Sequence, residues 1–135
     1  GNTQEADLNY DNALLFAHDI QYAKKQVNMW IGLDEYKRLL AMIQEASATT
    51  LFNHDYSKLD VSLERLTSAL QTFIELDDAR GIGNVLIAYA RIYGKLEVNG
   101  LAEAYYKQAL AHAQKSNDTE ITALAEKELD ELPKA

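Results

Sequence analysis

The chain has 135 residues, of which 47% are hydrophobic and 25% charged, with a net charge of −8, six glycines, one proline and no cysteine. Without cysteine, disulfide scaffolds and thiol chemistry are excluded. Seven glycine and proline residues are too few for the many turns of an all-β domain. The acidic balance argues against nucleic-acid binding, and the short apolar runs argue against a membrane span. We therefore expect a soluble, all-α protein. The absence of cysteine fits the cytoplasm and the periplasm alike, so the compartment stays open, with the cytoplasm favoured.

Apolar residues recur at helical spacing along most of the chain, and short polar clusters divide them into about six segments. In the first helix, Thr3 or Asp11 is the candidate cap, and the apolar face consists of Ala13, Phe16, Ile20, Ala23 and Val27. Asp34 is the predicted cap of the second helix. The apolar side of that helix consists of Tyr36, Leu39, Leu40, Ile43 and Ala46. Its β-branched residues near 49–52 predict a frayed end.

The middle of the chain has more regular segments. Ser57-x-x-Asp60 resembles a capping signal for a third helix, whose predicted core residues are Leu63, Leu66, Leu70 and Phe73. A fourth helix opens after Asp77-Asp78 and is apolar over more than half its circumference, which indicates an inner helix packed on two sides. Its apolar residues are Ile82, Val85, Leu86, Tyr89, Ala90, Ile92 and Tyr93.

Two further helices complete the prediction. The turn Asn99-Gly100 precedes a fifth helix over 101–115, and the box Asn117-x-x-Glu120 begins a sixth helix that ends before Pro133. Most of the glycines at 32, 81, 83, 94 and 100 are expected between helices or at their ends. Because the loops are short, neighbouring helices are expected to be antiparallel, which makes the chain a series of helical hairpins.

An internal repeat has a period of 40 residues, with 61–78 aligned on 101–118. Small residues match small residues and bulky ones match bulky ones. A small side chain lets two helices approach while a bulky neighbour fills the gap, so the pattern is typical of a helical solenoid. The matched pairs are Ala69 with Ala109, Leu70 with Leu110, Asp78 with Asp118, Ser62 with Ala102 and Leu66 with Tyr106.

A fixed-spacing pattern covers 80–118 and consists of Leu86, Tyr89, Ala90, Tyr93, Ala102, Tyr106 and Ala109. This pattern resembles the tetratricopeptide repeat (TPR) family, and the resemblance extends in part to 56–79. Tyr89 stands where the family usually has Leu, and Gln114 where it usually has Pro. The period of 40 and the acidic linker at 76–81 resemble the extended-helix variant of bacterial signalling and regulatory proteins.

The resemblance implies a fold and a domain organisation. Antiparallel hairpins would stack into a short right-handed TPR-like solenoid that forms one domain over 1–135. Within it, 1–55 would be a divergent helical hairpin, 56–118 the repeats, and 119–135 a C-terminal capping helix.

The resemblance also implies a partner-facing row on the fourth helix. The family's concave positions fall on four residues of that helix, and Arg80 extends the row by one turn. Cations in a line stand out on a chain of net charge −8, and guanidinium groups bind carboxylates by charge-assisted hydrogen bonds. Alternatively, these cations only pair with acids of this chain such as Asp77, Asp78 or Glu97. The predicted partner-binding residues are Arg80, Asn84, Ile87, Arg91 and Lys95.

The sequence contains no recognisable motif for catalysis, a cofactor or a metal. His18, His54 and His112 lie in different segments and lack the Glu-x-x-His and His-Glu-x-x-His spacings of metal sites. Gly81-x-Gly83 lacks the third small residue and the preceding strand of a dinucleotide-binding loop. Most tyrosines of the repeat fall on packing positions, whereas Tyr36 and Tyr105 fit packing or ligand stacking.

These observations predict a non-enzymatic protein-interaction module. Its concave groove would receive a peptide or protein segment, and the cations favour an acidic one. The alternative is a sensory, regulatory or self-associating helical-repeat part of a larger bacterial signalling or cell-envelope protein. No nucleic acid, membrane insertion, cofactor or metal is expected in either case.

Overall fold

The computed structural model describes residues 10–15 and 32–133, and all regular structure within them is helical. The all-α prediction is therefore confirmed. Besides the helical residues 10–15, the described helices are α1 (Leu33–His54), α2 (Leu59–Glu75), α3 (Ala79–Lys95), α4 (Asn99–Lys115) and α5 (Thr119–Glu131). Outside the described residues lie the candidate cap Thr3 and the predicted core residues Phe16, Ile20, Ala23 and Val27. The other candidate cap, Asp11, follows a residue that is already helical.

The chain forms two compact units, Gly1–Thr72 and Phe73–Ala135. In the first, α1 continues to His54 because Leu51 and Phe52 are buried, so the predicted fraying is wrong. The ring of Phe52 stacks on Tyr56 at 4.6 Å between centroids. The guanidinium of Arg65 lies 3.8 Å from the centre of the Tyr10 ring. A single domain over 1–135 remains a prediction.

The buried side of α1 differs from the predicted one. Of the predicted core residues, Tyr36 is buried, Leu39, Leu40 and Ile43 are half-buried, and Ala46 is exposed. The helix is longer than predicted, and its C-terminal part supplies much of its buried surface. The other buried residues of α1 are Ala41, Ala48, Leu51 and Phe52.

Two predicted helix caps are wrong in the first unit. Gly32 is the N-cap of α1 and makes no side-chain hydrogen bond there, while Asp34 lies inside the first turn. Before α2, a 3-10 helix (Tyr56–Lys58) is capped by Asp55, whose carboxylate accepts hydrogen bonds from both the backbone N–H (3.0 Å) and the hydroxyl (2.6 Å) of Ser57. Ser57 is therefore a donor at this turn, and Asp55 is the capping residue.

The helices α2, α3 and α4 each have 17 residues and are followed by identical turns. In each turn one residue has a left-handed backbone conformation: Asp77 (φ 52°), Glu97 (φ 62°) or Asn117 (φ 60°). The next N–H then donates to the carbonyl five residues earlier, at 2.9, 2.9 and 2.8 Å, so that carbonyls at the helix end are satisfied. Helix and turn therefore repeat every 20 residues without a glycine in the left-handed position.

Because of these turns, α4 and α5 do not begin as the sequence predicted. Asn99-Gly100 is not a turn, because the left-handed Glu97 has already reversed the chain, and both residues lie in the first turn of α4. Asn117 is itself the left-handed residue before α5, so the cap is Asp118, which accepts a hydrogen bond from the N–H of Ile121 at 3.1 Å. Asp78 caps α3 in the same way, at 3.0 Å from the N–H of Gly81.

The burial pattern has the same period of 40 as the sequence. The buried residues of α2 have buried counterparts in α4 at an offset of 40, which is the register in which the two segments align. The pairs are Ser62 with Ala102, Leu66 with Tyr106, Ala69 with Ala109, and Phe73 with Ala113. Two predicted core residues of α2, Leu63 and Leu70, are half-buried.

In the second unit, α3 packs against α4, α4 against α5, and α3 also contacts α5. Ten of the 17 residues of α3 are buried, as expected for an inner helix. Gly81 and Gly83, both inside the helix, permit this. A Cβ on Gly81 would lie 2.3 Å from the ring of Phe73, and one on Gly83 would lie 3.0 Å from a methyl group of Ile121.

Replacement of Gly81 by alanine tests this close approach. We expect Gly81→Ala to lower the free energy of unfolding by about 1 to 2 kcal/mol, since overpacking against Phe73 outweighs the gain in helix propensity. The control is Gly100→Ala, because a Cβ at Gly100 would have no atom of another residue within 4 Å. This control should raise the free energy of unfolding by about 0.5 kcal/mol. Urea unfolding followed by circular dichroism measures both, and equal effects of the two substitutions would refute close packing at Gly81.

Ser62 provides a second test, because its hydroxyl is fully buried and has no hydrogen-bond partner among the described residues. We expect Ser62→Ala to raise the free energy of unfolding by about 1 kcal/mol, since the unpaired hydroxyl loses its hydration on folding. Ala102 is the residue that corresponds to Ser62 in α4, and Ala102→Ser should lower the free energy of unfolding by a similar amount. Thermal and urea unfolding would contradict this account if Ser62→Ala destabilised the protein.

Candidate functional site

Helix α3 is enclosed along its length except for one row of four exposed residues. All its other residues are buried or half-buried. At 3.6 residues per turn, the four exposed residues fall within about 60° around the helix axis. They form what we call the exposed row: Arg80, Asn84, Arg91 and Lys95.

The exposed row contains four of the five predicted partner-binding residues. The fifth, Ile87, lies on the same side of the helix but is only 2% exposed, so its side chain offers almost no surface to a partner. The family register placed Ile87 on the row, but its apolar side chain is part of the core. The row is therefore polar throughout, with three cations and one amide.

Arg80, at the start of the row, is paired with acids at the start of α5. Its guanidinium donates a hydrogen bond to Glu120, and its Nε lies 3.7 Å from Asp118 Oδ2. The hydrogen bond to Glu120, followed by the charges of Asp118 and Glu120, raises the pKa of the Arg80 guanidinium. The Arg80 and Glu120 side chains are 54% and 78% exposed, and pairs so open to water contribute little to stability.

Arg91, further along the row, is held by a bidentate contact with Glu128 of α5. Its Nε donates to Glu128 Oε1 at 2.7 Å and its Nη2 donates to Oε2 at 2.5 Å. The Tyr106 hydroxyl of α4 donates to the same Oε1 at 2.9 Å. Three helices therefore meet at one carboxylate, which is only 16% exposed.

This network changes the pKa of two of its members. Burial opposes ionisation of Glu128, but the hydrogen bonds from Arg91 and Tyr106 outweigh it, so the pKa of Glu128 is lowered. Burial, followed by the hydrogen bond to the Glu128 carboxylate, raises the pKa of Tyr106. At neutral pH the network therefore consists of an ionised Glu128, a charged Arg91 and a neutral Tyr106.

The sequence suggested acids in the turns beside α3 as alternative partners of these cations. The structure adds three carboxylates from the start and body of α5: Asp118, Glu120 and Glu128. They lie about 40 residues away along the chain, so spacing within one helix could not reveal them. The order of the two pairs along the helices shows that α3 and α5 run in the same direction.

The tyrosines that fitted either packing or ligand stacking lie in packed positions. Tyr36 is 9% exposed. Tyr105 stacks on Tyr89 and Tyr93, with centroids 5.0 and 5.7 Å away, and so joins α3 to α4. Burial, followed by the proximity of Tyr105, raises the pKa of Tyr93.

Other candidate sites are weak in the described part of the chain. Within residues 10–15 and 32–133, no three His, Asp or Glu side chains are grouped as a metal site requires. His54 and His112 are exposed on different helices, and His18 lies outside the described residues. A cleft of about 440 Å³ at the start of α4 is lined by Glu103 and Asp130 but by no basic or nucleophilic side chain.

Comparisons of the chain with protein-family models, curated proteins and solved structures found no match. The TPR resemblance therefore rests on the sequence pattern alone. Of the seven pattern residues, Tyr93 is half-buried and the other six are buried. Among the described helices, none combines the length and the apolar character that crossing a bilayer requires.

The lowered pKa of Glu128 predicts how the second unit responds to acid. Because the folded-state pKa lies below the ordinary value of 4.5, the stabilisation by Glu128 is present above that value and is lost as the pH falls through the folded-state pKa. We expect Glu128→Gln to lower the free energy of unfolding by about 1 kcal/mol at pH 7 and to lose less stability on acidification than the wild type. Urea unfolding over a series of pH values measures both.

The control is Glu126→Gln, which removes a carboxylate from an exposed position of the same helix. Its loss of stability with acid should parallel that of the wild type. If Glu128→Gln also parallels the wild type, the network does not lower the pKa of Glu128.

Proposed function

We propose that the protein is a non-enzymatic helical-repeat interaction module whose exposed row on α3 binds an acidic segment of another protein. The observation that carries the proposal is the enclosure of α3. All its other positions are buried or half-buried, while Arg80, Asn84, Arg91 and Lys95 are exposed on one side.

The charge of the row favours an acidic partner. Three cations lie on one side of one helix in a chain of net charge −8, so this row differs in sign from the protein as a whole. Guanidinium groups favour carboxylates because two parallel N–H donors match two carboxylate oxygens. The contact of Arg91 with Glu128 has this bidentate geometry, which supports a role for Arg91 in carboxylate recognition.

The rigidity of the row supports binding. The buried face of α3 and the stacked tyrosines hold the backbone under the row in place. A partner would therefore bind side chains that are already oriented, and less conformational entropy would be lost on binding. The TPR resemblance and the period of 40 favour the same class of function, since stacked helical hairpins present extended surfaces to peptides.

Asn84 is the best position at which to test the proposal, because it is exposed at the middle of the row. A random-peptide display library is selected on the immobilised wild-type protein, and the enriched peptides are then synthesised with a fluorescent label. We expect Asp and Glu to be enriched. Fluorescence anisotropy should show affinity about tenfold lower for Asn84→Glu, because the new carboxylate repels acidic peptides, and higher for Asn84→Lys.

The matched control is Gln108→Glu, which makes the same charge change at an exposed position of α4. It should leave the affinity close to that of the wild type. Enrichment of peptides without acidic residues, or equal losses for Asn84→Glu and Gln108→Glu, would reject the exposed row as the binding surface.

A further inference from the structure

The two arginines of the exposed row already bind carboxylates, and these come from α5. Arg80 is paired with Glu120, and Arg91 donates hydrogen bonds to both carboxylate oxygens of Glu128. Since α5 runs in the same direction as α3, its acids meet the arginines in the order in which they occur. An acidic helix is therefore already bound to the row, and it belongs to the same chain.

Helix α5 is held less extensively than the helix it contacts. It has 13 residues, of which only Ile121 and Ala125 are buried, whereas α3 buries ten residues. Most of its remaining positions are exposed or half-buried and polar, including Glu126 and Lys127. Its acids can therefore exchange partners while Ile121 and Ala125 keep the helix in place.

The two carboxylates differ in how readily they can be replaced. The Glu120 side chain is 78% exposed, and an ion pair so open to water contributes little to stability. Glu128 is 16% exposed and also accepts the Tyr106 hydroxyl. A partner carboxylate would therefore reach Arg80 with little competition and Arg91 only against Glu128.

We propose that Glu120 and Glu128 act as an internal ligand that occupies Arg80 and Arg91 and lowers the affinity of the row for an acidic partner. This inference rests on the proposed function and adds its regulation. The partner must supply carboxylates that compete with those of α5, so only a segment with several acids in the right order binds tightly. The internal ligand thereby sets a threshold against isolated acidic residues.

The test uses a fluorescein-labelled peptide with the sequence of residues 117–133, which carries the same carboxylates as α5. Its affinity is measured by anisotropy for the wild type and for the variant Glu120→Gln/Glu128→Gln, in which the amides keep the shape but lose the charge. We expect the variant to bind the peptide about tenfold more tightly. A further Arg91→Gln substitution in that variant should remove most of the gain.

Two controls exclude simpler causes. Glu126→Gln/Glu131→Gln makes the same charge change at exposed positions of α5, and it should leave the affinity near that of the wild type. A peptide with glutamine in place of the glutamates at 120 and 128 should bind the variant about tenfold more weakly than the original peptide. Circular dichroism and thermal unfolding verify that each variant is folded.

If Glu128→Gln disturbs the fold, Glu120→Gln alone tests the same idea, because its exposed side chain can change without disturbing the packing. We expect it to raise the affinity about threefold. Equal binding by the wild type and the charge-neutral variants would overturn the internal ligand while leaving acidic-segment binding intact. No binding by any folded variant would overturn the proposed function and this inference with it.

Discussion

The enclosure of α3 depends on two of the three glycines in this helix, Gly81 and Gly83. The ring of Phe73 occupies the space beside Gly81, and a methyl group of Ile121 approaches Gly83. Any larger residue at Gly81 would push the ring away, and protein interiors offer little free volume to absorb such a shift. These glycines lie inside a helix and set the distance between neighbours, so their function is packing and not flexibility.

Enclosure also determines where α3 can meet a partner. A helix that is covered almost all round keeps only a narrow strip in contact with solvent, and here that strip consists of Arg80, Asn84, Arg91 and Lys95. The neighbouring helix α5 approaches close enough to place Glu128 on Arg91. Packing and the proposed recognition are therefore linked, because the helix that helps to bury α3 also supplies the carboxylates at its exposed side.

The apolar period within each helix predicted the helices and the inner position of α3. The TPR resemblance, not the apolar period, indicated the positions of the row on α3. Sequence patterns misplaced the turns before α4 and α5, because Glu97 and Asn117 adopt a left-handed conformation in which glycine is more common. They also misplaced Ile87, which shares the row's side of the helix but is buried. The partners of Arg80 and Arg91 depend on how α3 and α5 pack, which no local pattern encodes.

The constant length of helix plus turn has a consequence for how such a chain can change in size. Helices α2, α3 and α4 begin at 59, 79 and 99, and α5 begins at 119. Duplication or deletion of 40 residues would thus add or remove one whole hairpin and leave every turn residue and cap in register. Gain of a single helix would reverse the direction of the end helix, so growth by gene duplication would proceed in pairs of helices.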